Sequence, residues 1–180
     1  FTGPQLLRYS AYNVSEINNY ALGHCISYGG VLALNATTGS VIWNWTQGRR
    51  SAAVNGAPAY YDGKIFIGEN SWNPLAETEQ EDLWQVGFAL CLNATTEALT
   101  VDQRLIWNYT VNGGIQSSPA VSGGIVYIAD MGKDYVYALN ANVTGIGVYK
   151  NVDNLIWNYK CRNNVKGSPA VAEADGRPIV

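Results

Sequence analysis

The five residues Leu105-Ile106-Trp107-Asn108-Tyr109 return unchanged as Leu155-Ile156-Trp157-Asn158-Tyr159, and in looser form as Val41-Ile42-Trp43-Asn44-Trp45. An apolar run ending in Asn-Ala precedes each of them: Val31-Leu32-Ala33-Leu34-Asn35-Ala36, Phe88-Ala89-Leu90-Cys91-Leu92-Asn93-Ala94 and Val136-Tyr137-Ala138-Leu139-Asn140-Ala141. A small-residue segment follows each: Gly56-Ala57-Pro58-Ala59, Ser118-Pro119-Ala120-Val121 and Ser168-Pro169-Ala170-Val171. After the first two come Lys64-Ile65-Phe66-Ile67-Gly68 and Ile125-Val126-Tyr127-Ile128-Ala129. Trp43 to Trp107 spans 64 residues and Trp107 to Trp157 spans 50. One order of motifs at a near-constant period marks an internal repeat. The excess in the first interval is a polar insertion, the loop 69–85, and the approximate units are 21–75, 86–135 and 136–180.

Each unit supplies four short runs rich in β-branched and aromatic residues, separated by turn residues such as Thr38-Gly39, Asp62-Gly63 and Gly123-Gly124. No window has helical periodicity long enough for a stable helix. The expectation is all-β, a β-propeller of four-stranded blades with about three blades present. Trp43, Trp107 and Trp157 are then the blade-docking residues: a large flat side chain fills the wedge between blades while its indole N–H finds a carbonyl. Pro58, Pro119 and Pro169 open strands, where no ladder donor is lost.

These motifs resemble the PQQ-like repeat of quinoprotein dehydrogenases, over about residues 21–180. That family holds alcohol dehydrogenases as well as assembly scaffolds and sensor domains, so the repeat alone selects no activity. Residues 14–95 are most similar to the dehydrogenase branch. There a vicinal Cys-Cys pair lies against the quinone; this chain has His24-Cys25 at the matching place, so that disulfide cannot form. Ser51 to Pro58 is similar to a segment in which a Trp stands where this chain has Asn55, and Ile67-Gly68-Glu69-Asn70-Ser71-Trp72-Asn73-Pro74 is similar to the segment carrying a calcium-binding Asn. The resemblance makes Asn70 the metal candidate, one position out of register. It makes Asp82, eleven residues before Asn93, the catalytic candidate. Glu69 could add an oxygen. The run Glu77, Glu79, Glu81, Asp82 reads equally well as a solvated acidic loop, and His24, the one histidine, as a packed or surface residue.

A net charge of −3 and a pI near 5.0 give no electrostatic basis for nucleic-acid binding. No stretch approaches the roughly 18 apolar residues that span a bilayer, and the chain begins at Phe1 with no signal peptide, which reads as a processed or excised piece. Cys25, Cys91 and Cys161 lack Cys-x-x-Cys spacing, so the alternatives are one disulfide or three buried thiols. Six sequons, at Asn13, Asn35, Asn44, Asn93, Asn108 and Asn142, exceed the about two that chance gives and favour an extracytoplasmic glycoprotein. Repetition accounts for part of the excess.

The third unit stops at Ile179-Val180, just inside the strand that matches Ile125-Val126-Tyr127-Ile128. Three blades are fewer than the roughly four to eight that close a ring, so other blades of a longer chain or a partner protein are expected to complete it. Two functions follow. The first is a non-catalytic scaffold or recognition module needing no cofactor. The second is a PQQ- and calcium-dependent alcohol dehydrogenase, in which Asp82 takes the alcohol proton while calcium polarises the quinone.

Overall fold

A computed structural model of the chain describes residues 7–17, 25–46, 54–71, 86–145, 152–163, 165–174 and 177–180. It is all-β, with one short helical turn, and its strands form separate antiparallel sheets. β1 (Leu7–Ile17), β2 (Cys25–Asn35) and β3 (Val41–Thr46) make a first sheet in chain order. β4 (Ala59–Tyr61), β5 (Lys64–Ser71), β6 (Val86–Asn93) and β7 (Leu105–Val111) make a second. β8 (Ala120–Ser122), β9 (Ile125–Ala129), β10 (Tyr135–Asn140) and β11 (Leu155–Lys160) repeat that order in a third. A hairpin of β12 (Ala172–Ala174) and β13 (Arg177–Ile179) follows.

The turns follow from residue type. Asp62-Gly63 and Gly123-Gly124 all have positive φ, 48° and 71° in the first pair and 58° and 77° in the second. That is the two-residue turn whose twist matches a hairpin. Asn35, Asn93 and Asn140 end the strands before the Trp strands, and each side chain folds back on its own turn. Asn35 Oδ1 accepts from the amides of Thr37 and Thr38, Asn93 Oδ1 from Thr95 and Asn140 Oδ1 from Asn142, at 2.8–3.1 Å. The recurring Asn is therefore a turn-forming residue.

The three sheets also share an irregularity. Pairing shifts between Ala33 and Leu34, Cys91 and Leu92, and Ala138 and Leu139, which leaves Ile42, Ile106 and Ile156 as the extra residue of a bulge beside each Trp. A bulge re-aims the side chain next to it. The ring pair Phe66–Trp107 lies at 5.9 Å and 44°, and Tyr127–Trp157, its counterpart one sheet on, at 5.9 Å and 46°.

The second sheet is buried on both faces. Ile65, Ile67, Phe88, Leu90 and Leu92 share a core with Val31, Ala33, Trp43 and Trp45 of the first sheet. The alternating residues Phe66, Ala89, Cys91 and Trp107 share another with Val126, Ile128, Tyr137 and Leu139 of the third. This is the period-2 alternation of a strand read twice, once into each core.

The sheets cut the chain in a different phase from the sequence units: residues 86–135 hold β6 and β7 of the second sheet and β8 and β9 of the third. β5 also continues through Glu69 and Asn70 to Ser71, so these two residues are strand, not loop.

Candidate functional site

The three repeated tryptophans have different surroundings. Trp43 Nε1 donates to the carbonyl of Thr95 at 2.9 Å, and Trp107 Nε1 to that of Ala141 at 3.4 Å. Each reaches the turn after the third strand of the following sheet. Trp45 adds a bond to the Val101 carbonyl at 3.1 Å. Trp157 occupies the same register position but is 40% exposed, and Tyr159 beside it is 67% exposed. Among the described residues, no acceptor meets the Trp157 indole. Trp157 and Tyr159 form, with Ala129, Val136, Pro169 and Val180, an apolar groove of about 400 Å³.

Residues missed in the sequence hold the closed junctions together. Arg104 is buried with its guanidinium 4.0 Å above the Trp43 ring, and it donates to the carbonyls of Asn93, Thr95 and Glu97 at 2.8–3.0 Å. A single turn, α1 (Val101–Arg104), places it. Its cap is reciprocal: the Thr100 hydroxyl accepts from the Gln103 amide, and the Gln103 side chain accepts from the Thr100 amide. The signal Thr-x-x-Gln before the Trp strand was present in the sequence.

At the next junction, buried Asp130 accepts from the Tyr137 hydroxyl at 2.6 Å and from the amides of Lys133 and Tyr135. Burial, reinforced by Asp130, pushes the Tyr137 hydroxyl well above its usual titration range. A third link runs along the strand openings. The Ala57 amide donates to Ser118 Oγ, and the Ser118 amide to Ser168 Oγ, both at 2.8 Å. The Pro-Ala segments thus stitch one sheet to the next, and β4 lies beside β8.

Cys91 and Cys161 are free thiols. Cys91 is buried against Trp107, and burial pushes its thiol far above the usual value; Cys161 is half-exposed in the groove, against the alternative of three buried thiols. The Cys25 side chain, His24 and Asp82 lie outside the described residues. Glu69 and Asn70 are both buried at 1% exposure, and Asn70 Oδ1 has no hydrogen-bond partner. As neighbours on one strand they point to opposite faces, so they do not converge on one ion, and among the described residues no three ligand-type side chains cluster. Calcium takes six to eight oxygens; the described residues bring Asn70 alone to that place.

The sequons separate by exposure. Asn44 and Asn142 are exposed and Asn35 and Asn93 half-exposed, whereas Asn108 is buried. Only the backbone of Asn13 is described. A glycan on Asn108 would not fit the folded chain.

A scan against protein-family models finds no match for this chain, and a search of curated proteins finds none either.

Proposed function

We propose that the chain is a section of a β-propeller with four-stranded blades, serving as a non-catalytic, extracytoplasmic scaffold or recognition module. One observation carries this reading: a junction built twice within the chain, at Trp43 and at Trp107, is left open at Trp157. A contiguous apolar patch rimmed by polar residues is what an interaction site presents. The exposed sequons support a glycosylated, extracytoplasmic setting, and the serine links between successive strand openings support a radial succession of sheets.

The test is collisional quenching of tryptophan fluorescence by acrylamide on the intact chain, compared with Trp157→Phe. The reading predicts an accessible component that shrinks in the variant by the share of Trp157, Trp72 and Trp84 contributing equally to both proteins. If Trp157→Phe leaves quenching unchanged, the face is covered and the reading fails.

A second reading rests on Asn70, whose buried amide oxygen lacks a partner at the place where the resemblance puts a metal ligand. Under that reading calcium would be held in part by Asn70 and would polarise a quinone when bound. The described residues do not fit a calcium site by themselves, and no catalytic step is derived from them. Turnover of alcohols by the full-length protein with PQQ and calcium, abolished by Asp82→Asn, would decide for the dehydrogenase and against the scaffold.

A further inference from the structure

The junction between the first and second sheets is filled with apolar side chains at three positions. Trp45 of β3 packs there with Phe88 and Leu90 of β6 in one core. Strand pairing gives the matching positions one sheet on. Tyr109 lies opposite Ala89 as Trp45 lies opposite Val31. Tyr135 and Tyr137 lie opposite Lys160 and Asn158 as Phe88 and Leu90 lie opposite Thr110 and Asn108. Each of the three apolar residues is thus a tyrosine at the second junction.

The exchange leaves a hollow. A cavity of about 220 Å³ opens between the second and third sheets, walled by Tyr109, Tyr135 and Tyr137 together with Thr110, Asn112 and Asn158. The Tyr137 ring lies 6.1 Å from that of Tyr109 and 5.9 Å from that of Tyr135. Its hydroxyl donates to Asp130 and keeps its lone pairs. No described residue hydrogen-bonds the hydroxyl of Tyr109 or of Tyr135. Thr110, Asn112 and Asn158 are exposed, so the cavity opens to solvent, whereas Asn108, in the Asn158 position at the filled junction, is fully buried.

The lining decides what fits. Hydroxyls and side-chain amides both give and take hydrogen bonds, which suits a ligand whose own groups do both. Charge at the cavity is balanced: the Lys160 ammonium lies 5.5 Å from the centre of the Tyr135 ring, and the Asp153 carboxylate acts on Tyr109. Asp130 already accepts from three donors. Neither a cation nor an anion is favoured. The volume falls below the roughly 300–1,000 Å³ of a site for a drug-sized molecule, which leaves room for one ring. Tyrosine faces offer their negative π-surface to ring C–H groups.

We infer that the cleft between β7 and β10 binds a single neutral sugar ring, held by the hydroxyls of Tyr109 and Tyr135 and the amides of Asn112 and Asn158. The site lies between two described sheets and does not involve the Trp157 face, so it adds a ligand class to the scaffold reading without depending on it.

The probes are the methyl glycosides of glucose, galactose and mannose, titrated into the intact chain with its tyrosine rings isotope-labelled for NMR. A saturable shift of the Tyr109, Tyr135 and Tyr137 ring resonances is expected at millimolar glycoside with at least one of the three. Tyr135→Phe supplies the residue type that Phe88 provides at the filled junction. It should weaken binding about threefold to tenfold and leave the denaturant midpoint unchanged. Combining it with Tyr109→Phe should abolish binding, while Tyr60→Phe, at an exposed tyrosine of β4, should leave it as it was. Glucosamine and glucuronate, which add a charge to the ring, should bind more weakly. An oligosaccharide ending in the preferred ring separates the sources: tighter binding identifies a glycan, and equal binding a free sugar. No saturable shift with any of the three glycosides, an equal shift in the double Phe variant, or tighter binding of either charged sugar would overturn the inference.

Discussion

Residues 105–109 and 155–159 are the same pentapeptide, with the same bulge and the same ring geometry at the Trp, yet one is core and the other surface. Leu105 is 4% exposed and Leu155 36%; Trp107 is fully buried and Trp157 is not. Trp107 is covered by the aliphatic row of the third sheet, Leu105 faces the core shared with the first sheet, and Trp157 has no such cover among the described residues. Burial here belongs to the neighbour rather than to the strand. The exposed face at Trp157 is made of residue types that elsewhere in the chain are packing.

The largest effect separates the two Trp sites. Trp107→Ala removes a fully buried indole between two sheets and should cost about 3–5 kcal/mol of unfolding free energy. Trp157→Ala, half out in solvent, should cost less than half of that. Denaturant titration of both variants measures the gap, and equal losses would erase the distinction between closed and open junctions.

Next comes Arg104, which belongs to the closed junction at Trp43 and has no equivalent cation at the closed junction of Trp107. Its counterpart before β11 is Asn154, which donates to the Asn140 carbonyl. Arg104→Ala removes a donor from the carbonyls of Asn93 and Glu97, leaves the Thr95 carbonyl to the Trp43 indole alone and strips the cation from Trp43, so a loss of about 2–4 kcal/mol is expected. Arg104→Lys should recover less than half, because an ammonium lacks the planar fork that spans those carbonyls.

A smaller effect is alkaline. Cys91 and Tyr137 line the closed junction and both have raised folded-state pKa values, above the ordinary 9.0 and 10.0. The folded state resists deprotonation and the unfolded state does not. Their contribution is thus complete below about pH 9 and is lost as pH rises past it, by up to about 1.4 kcal/mol per pH unit from Cys91. Ala138 holds the Cys91 position beside Trp157, so the open face carries no such thiol. Replacing Cys91 by Ala should flatten the stability profile from pH 9 to 10.5, and an unchanged slope would place the titrating group elsewhere.

The smallest test concerns Asn44 and Asn108, which hold one motif position. Expressed in a secretory host, the chain should carry glycan at Asn44 and none at Asn108 by peptide mapping.

Much of the all-β fold was legible because similar stretches recur along the sequence, and the strand composition, the turn pairs and the contacts of Trp43 and Trp107 agree with it. The bulge at Ile42, Ile106 and Ile156 was not, since an extra residue leaves no mark on alternation until a partner strand sets the count. The phase of the sheets was hidden for a related reason: a periodic sequence has no preferred starting strand. The sequence drew attention to the acidic insertion through residue type. It could not show that Glu69 and Asn70 stand on opposite sides of a strand, nor that Trp157 lacks the cover given to its copies, because both depend on what lies across from them.

Hydrogen–deuterium exchange of the indole N–H groups tests the central claim most directly. Trp43, Trp45 and Trp107, each bonded to a carbonyl, should be protected together and exchange only with opening of their junctions. Trp157 should exchange within the dead time of the measurement. Protection of Trp157 equal to that of Trp107 would contradict the account.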